Sequence, residues 1–196
     1  MMKIFNHIST ILKHKWFVYV YCKEMGITWR GVKHDLSKFH PIEFLESLKY
    51  YKKGSSPIPR CKKDKGYSNA WFHHRGHNDH HYEYWVDNLD NGGVSVKMPY
   101  DAMLEMIADW LAAGRTYNGK SFTYKQEYDW LQNFLKTNPK IHPVTLSFVN
   151  QFIKWFAIGF ASPKDLGRCY YHIKKLYEEC EECEENDIKD VILCNI

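Results

Sequence analysis

The chain has 196 residues, 44% of them hydrophobic and 16% aromatic, which excludes a disordered chain and is enough for one compact domain with a buried core. The formal net charge of +4 is too small for a protein whose main surface binds nucleic acid. An N-terminus without a secretory signal, an apolar stretch over 144–161 that polar residues interrupt, and scattered cysteines predict reduced thiols, no membrane span and a cytoplasmic location.

The first half of the chain is predicted to be helical with one long loop. Apolar residues recur at three- and four-residue spacing over 3–25, and Thr28 and Pro41 are placed to begin the next two helices. Residues 54–66, rich in proline and lysine, are predicted to form an exposed loop. Residues 68–85 are predicted to be helical behind a Ser68 cap, in one piece or in two divided near 76–79.

The second half is predicted to contain a small hairpin and four more helices. Asn91-Gly92-Gly93 is turn chemistry, and the helices are predicted over 100–117, 124–136, 143–160 and 163–185. The total is about seven helices and almost no strand. We therefore predict an all-α, single-domain helical bundle over 1–185, followed by a C-terminal tail over 186–196.

Two polar residues occupy positions where packing alone would favour apolar ones. His14 lies three residues after Ile11 and four before Val18, on the apolar face of the first helix. Asp109 lies within the apolar segment 106–113, where an ionised carboxylate needs a cation, a metal or several donors. Each also has a simpler interpretation: a core histidine with a hydrogen-bond partner, and a carboxylate paired with an arginine or lysine.

Between them lies an adjacent His34-Asp35 pair. The order of a helix histidine, a His-Asp pair and a distant aspartate resembles the HD-domain superfamily of metal-dependent phosphohydrolases, which is all-helical. The resemblance implies that His14, His34, Asp35 and Asp109 coordinate a divalent cation. It also implies that Lys38, in the His-Asp-Leu-Ser-Lys segment, contacts phosphate.

Five of the eleven histidines fall within 73–81. HD proteins with two metal ions take further histidine ligands from this region, so the resemblance implies a binuclear site with His74, His77, His80 and His81 as candidates. The alternative is a solvated, histidine-rich turn that binds metal adventitiously. The segment from about 14 to 117 also resembles a family of small, uncharacterised bacterial and phage proteins.

Imidazole and carboxylate ligands suit Mn, Fe, Co, Ni or Zn, as one or two ions. The resemblance therefore implies hydrolysis of a small phosphoester, such as a nucleotide, by metal-activated water. Asp35 and Lys38 would be catalytic, and Lys38, Arg75 and Arg115 would contact the substrate, although ordinary surface arginines are an alternative for the last two. Two other functions fit the same residues: a di-iron oxygenase with the HD fold, and a non-catalytic protein that binds metal or nucleotide.

Overall fold

The computed structural model describes residues 2–181, 189–190 and 193, and this part of the chain is all-α. It contains ten α-helices and one two-stranded antiparallel sheet. The all-α prediction is therefore confirmed. Residues 182–185 of the last predicted helix and most of the predicted tail 186–196 lie outside the described residues.

The elements follow one another with short connections. The helices are α1 Met2–Glu24, α2 Thr28–Lys33, α3 Pro41–Tyr50, α4 Ile58–Lys65, α5 Asn69–His77, α6 Tyr100–Asn118, α7 Tyr124–Leu135, α8 Pro143–Ile158, α9 Pro163–Arg168 and α10 Tyr170–Glu179. The strands are β1 Val86–Asp87 and β2 Val94–Ser95, with Val86 opposite Ser95, as the predicted hairpin requires.

The core forms around α6, which packs along α1. Helix α6 buries most of its circumference between Tyr100 and Ala112, as expected of a central helix. Helix α1 buries one stripe that includes Ile11, His14 and Val18, at the three- and four-residue spacing seen in the sequence. Because the two helices lie side by side, the polar residues His14 and Asp109 are brought to one interface.

The predicted loop over 54–66 is wrong in its second half, because α4 covers Ile58–Lys65. Pro59 occupies the first turn of this helix, where a missing backbone N–H costs nothing. Gly66, with a φ of 81°, ends the helix in the left-handed conformation. The prolines and lysines of this segment therefore belong to a short helix start and a solvated helix face.

The predicted helix over 163–185 divides at Cys169 into α9 and α10. Helix α9 packs against α1, where Gly167 lies so close to the Glu24 carbonyl that no Cβ would fit. Helix α10 turns away and packs against α6 with Ile173 and Tyr177 buried. The break gives each short helix its own neighbour, which the helical period of the sequence does not reveal.

Two further expectations concern cysteines and membranes. Cys22, Cys61 and Cys169 are buried free thiols, whereas Cys180 is disulfide-bonded, so the expectation that every thiol is reduced is wrong at that residue. Within the described residues, every helix is too short or too polar to cross a membrane.

Candidate metal centre

Seven histidine and aspartate side chains from different parts of the chain meet at one place in the fold. They come from α1, the connection after α2, helix α5, the turn after α5, and α6. These residues are His14, His34, Asp35, His74, His80, His81 and Asp109. They form two sets of four, and within each set the ligand atoms all lie within 4.8 Å of one another. Asp35 belongs to both sets.

The backbone after α2 presents His34 and Asp35 to the same side. His34 ends α2 in an extended conformation, and Asp35 follows in the left-handed region with a φ of 54°. Aspartate is one of the few residues that adopt this region readily. As a result, His34 Nε2 and Asp35 Oδ2 lie 3.0 Å apart although the two residues are neighbours in sequence.

The first set consists of His14, His34, Asp35 and Asp109. His14 Nε2 lies 2.9 Å from Asp109 Oδ1 and 3.6 Å from Asp35 Oδ2. His34 Nε2 lies 3.6 Å from the same Asp109 oxygen. Two atoms that each lie about 2.1 Å from one ion at a right angle are about 3.0 Å apart. The spacing in this set therefore fits a single cation held by all four residues.

The second set consists of Asp35, His74, His80 and His81. His74 Nε2 and His80 Nε2 lie 3.2 and 3.5 Å from Asp35 Oδ1, the oxygen that does not face His34. The two oxygens of Asp35 thus point to different sets. This carboxylate is placed where a ligand shared by two ions would be.

His77 lies outside both sets. Helix α5 ends at His77, and the chain then turns at Asn78, whose side chain donates to the His74 carbonyl at 2.7 Å. This turn points His80 and His81 towards Asp35, whereas His77 is exposed and stacks on the ring of His73 at 4.0 Å. The continuous helix that would align 73, 77 and 81 does not form.

Several polar atoms of the two sets are buried without hydrogen-bond geometry to any described group. They are Nε2 of His14, His34, His80 and His81, and both carboxylate oxygens of Asp35. A buried polar atom without a hydrogen bond is costly, and one of these six, Asp35 Oδ2, has an ion-pair partner in Lys38. Their convergence at one point indicates a site for a polar or charged group. Nitrogen lone pairs and carboxylate oxygens that converge in this way are the donor set of a transition-metal ion.

The histidines of the centre differ in the direction of their pKa shifts. Burial and the neighbouring His80 and His74 hold the pKa of His81 well below its usual range, and burial together with His34 lowers the pKa of His80. Burial alone would raise the pKa of Asp109, but the neighbouring His14 and His34 hold it well below its usual range. Burial alone would lower the pKa of His34 and His74, but the charge of Asp35 raises the pKa of both. Since imidazole binds metal in its neutral form, a cation at this centre would displace the protons of these two rings.

Of the three predicted substrate contacts, only Lys38 lies at the centre. Its ammonium group touches Asp35 Oδ2. The guanidinium of Arg75 lies over the ring of Phe72, and that of Arg115 lies over the ring of Phe17. Neither arginine lines the cavity that lies beside the two sets.

A cavity of about 390 Å³ opens beside the two sets. Its polar lining includes the ligands His14, His74, His81 and Asp109, together with Lys38 and the carboxylates Glu43 and Glu83. The rest of the lining is mostly apolar and includes the aromatic rings of Trp71, Tyr82, Trp110, Trp130 and Phe134. Within the described part of the chain, Lys38 is the one lysine or arginine that lines this cavity.

Two carboxylates that the sequence analysis did not identify hold the histidines in place. Glu43 Oε2 accepts from His74 Nδ1 at 2.8 Å, and Glu105 Oε1 accepts from His34 Nδ1 at 2.8 Å. Because a carboxylate only accepts, both Nδ1 atoms carry a proton, and the Nε2 atoms of the two rings face Asp35. The signal for Glu105 was present, since it lies four residues before Asp109 on a helix that is otherwise apolar there.

A third carboxylate, Glu127 on α7, is buried without a described salt bridge. Burial and the charge of Asp109 raise the pKa of Glu127 to about 8. Because this pKa is raised, the neutral form of Glu127 contributes to the free energy of unfolding in full below pH ~4.5, the pKa of an unfolded glutamate. That contribution is lost as the pH rises through about 8. We expect Glu127→Gln, which cannot ionise, to be more stable than the parent at pH 8, by on the order of a few kcal/mol.

The measurement is urea unfolding of the parent and of Glu127→Gln at pH 4.5 and pH 8. A chelator is present so that no bound cation offsets the negative charge of Asp109. The two proteins should differ little at pH 4.5 and clearly at pH 8. Glu179→Gln is the control, because Glu179 ends α10 with an exposed side chain. An advantage for Glu127→Gln that is the same at both pH values would contradict the expectation.

Comparison with known proteins adds a family but no activity. No curated protein and no solved structure matches the chain. The sequence matches a family of unknown function (DUF5662) over residues 3–155, which is well over half of the chain. The matched segment includes all seven residues of the two sets, together with Glu43 and Glu105. The chain therefore belongs to the family of unknown function DUF5662.

Proposed function

We propose that this protein is a metal-dependent phosphohydrolase that acts on a nucleotide or a related phosphate monoester. The observation that carries the proposal is the position of Asp35, whose two oxygens face two four-residue ligand sets beside a cavity of substrate size. The resemblance of the His14, His34-Asp35, Asp109 order to HD-domain phosphohydrolases supports the same reaction class.

The residues of the centre would have different roles in hydrolysis. His14, His34 and Asp109 would hold one divalent ion and His74, His80 and His81 a second, with Asp35 between them. Mn, Fe, Co, Ni or Zn bound there would supply Lewis acidity towards a phosphoryl oxygen and towards water. The Lys38 ammonium, at the cavity wall, would offset the charge of the phosphoryl group.

The cavity favours a substrate with one phosphoryl group and a bulky ring. Its volume falls within the range of roughly 300–1,000 Å³ usual for small-molecule sites. One lysine matches a monophosphate better than a polyphosphate, and the aromatic walls suit a planar group. His7 also lines the cavity with both ring nitrogens unpartnered, and burial together with Lys38 lowers its pKa to about 4. Its neutral ring can hydrogen-bond to the organic half of the substrate.

The test is hydrolysis by protein purified without a histidine tag, supplied with Mn²⁺ or Co²⁺, on nucleoside mono-, di- and triphosphates and on p-nitrophenyl phosphate. We expect turnover that is fastest on monophosphates. Lys38→Met should raise KM by about 10- to 100-fold, because a hydrogen bond to a charged group contributes about 1.5–3 kcal/mol. Metal content measured in the same samples shows whether Lys38→Met raises KM by weakening metal binding instead.

Arg75→Met is the matched control and should leave KM unchanged, since Arg75 lies on Phe72 outside the cavity. Metal-loaded parent protein that hydrolyses none of these phosphoesters would overturn the proposal.

A di-iron oxygenase is the second candidate, and the apolar lining of the cavity is the observation that favours it. Within the described residues a single cation reaches the cavity, so an uncharged or weakly charged substrate would also fit. Iron that co-purifies with the protein, an optical or spin-resonance signal from a coupled iron pair, and no phosphoester hydrolysis would together favour this reaction.

A further inference from the structure

Glu105 is in contact with one ligand from each set. Its Oε1 accepts from His34 Nδ1 at 2.8 Å, in the first set, and lies 3.2 Å from His80 Nδ1, in the second. One carboxylate oxygen therefore orients a ring on each side of Asp35.

The other oxygen of Glu105 is fixed by an ion pair. Arg30 Nε donates to Glu105 Oε2 at 2.5 Å, and the same guanidinium pairs with Asp79, the residue before His80. Trp85 Nε1 in turn donates to the Asp79 carbonyl at 2.6 Å. Helix α2, helix α6 and the turn that carries His80 are thereby tied to one carboxylate.

Glu43 differs from Glu105 in the number of ligand sets that it contacts. Its Oε2 accepts from His74, a member of the second set, and its Oε1 accepts at 2.7 Å from His73, which belongs to neither set. The two buried glutamates have the same chemistry, but Glu43 supports one set and Glu105 supports both.

We propose that Glu105 is a positioning residue shared by two metal ions, so that its loss weakens both ions together, whereas loss of Glu43 weakens only the ion of the second set. The inference rests on the metal centre of the proposed function and not on the reaction. A carboxylate that orients a metal-bound histidine typically contributes 10- to 100-fold in metal affinity.

The test uses proteins that each keep one ion. His81→Ala removes a ligand of the second set and leaves the first complete, and His14→Ala does the reverse. Co²⁺ affinity is measured by competition with a chromophoric chelator, with no substrate present. In the His81→Ala protein we expect Glu105→Gln to weaken Co²⁺ about 10- to 100-fold and Glu43→Gln to leave it unchanged. In the His14→Ala protein both should weaken it by that factor.

Glu46→Gln separates positioning from a general structural effect. Glu46 lies on α3 beside Glu43 and anchors the start of α5 through Ser68 and the Ala70 N–H, but it touches no residue of either set. We expect it to lower the melting temperature without changing Co²⁺ affinity. Arg30→Lys is a milder test of Glu105, because lysine keeps the charge without the paired donors. It should weaken both ions by equal, smaller factors, and it serves if Glu105→Gln does not fold.

The pattern of Co²⁺ affinities distinguishes a shared role of Glu105 from a role at one set. An effect of Glu105→Gln, or of Arg30→Lys in its place, on one set alone would overturn the shared role, as would an equal effect of Glu43→Gln on both sets. Parent protein that binds no Co²⁺ would overturn this inference and the proposed function together. Protein that binds two ions with the expected pattern, yet hydrolyses nothing, would overturn the reaction and leave the role of Glu105 standing.

Discussion

Asp35→Asn is expected to weaken both metal ions by more than about 100-fold, beyond the effect typical of a residue that only supports a ligand. Asp35 is the one residue common to both four-residue sets among the described residues, and its two oxygens face different sets. An amide keeps the shape of the side chain but removes the negative charge and one acceptor. Hydrolysis, if the proposed function holds, should fall with the metal content.

The substitution Asp35→Asn is chosen because it preserves the backbone conformation at this position. Asp35 has a φ of 54°, and asparagine, unlike alanine, adopts this region readily. The measurement is elemental analysis together with Mn²⁺ titration, and circular dichroism checks the fold. His77→Ala is the control, because His77 comes from the same histidine-rich segment but lies outside both sets. Asp35→Asn protein that kept even one ion at parental affinity would show that Asp35 is not shared.

Metal is expected to raise the melting temperature by roughly 8–16 °C. A ligand present at 1,000 times its Kd stabilises the folded state by about 4 kcal/mol, and a chain of this size gains about 2–4 °C per kcal/mol. The physical reason lies in six buried atoms of the two sets, Nε2 of four histidines and both Asp35 oxygens, which have no hydrogen-bond geometry to any described group. A cation would satisfy them in the folded protein and not in the unfolded one.

Thermal unfolding in EDTA and in increasing Mn²⁺ measures this effect. The melting temperature should rise steadily with the logarithm of the free Mn²⁺ concentration, because each tenfold increase adds about 1.4 kcal/mol per ion. In Asp35→Asn protein the same series should be nearly flat. Equal melting temperatures for the parent in EDTA and in Mn²⁺ would show that the cluster is an arrangement of buried hydrogen-bonding groups and not a metal centre.

The helical part of the fold could be predicted because apolar spacing reports which face of a helix is buried. Helices α1, α6 and α8 begin and end within a few residues of the predicted bounds. The segment over 58–65 was missed because its buried contact depends on one residue, Cys61, too few for a periodic signal. The break at Cys169 was missed because it depends on where α1 and α6 lie, which is a property of the assembled fold.

The ligand candidates could be predicted from polarity in apolar surroundings, and their grouping could not. His14 and Asp109 stood out by position, and the structure brings them within 2.9 Å of each other. Choosing among the histidines of 73–81 required the end of α5, since the turn at Asn78 brings in His80 and His81 and leaves out His77. Glu105 is detectable in the sequence as a polar residue four positions before Asp109, but its role and that of Glu43 depend on contacts with other side chains that only coordinates show.

The two ligand sets differ in how far they extend along the chain. The second set is complete within 35–81, whereas the first joins residue 14 to residue 109 across the interface of α1 and α6. During synthesis the residues of the second set emerge from the ribosome well before Asp109 does. Occupancy of the first set by an ion would therefore report that α6 has docked against α1, whereas occupancy of the second set would not.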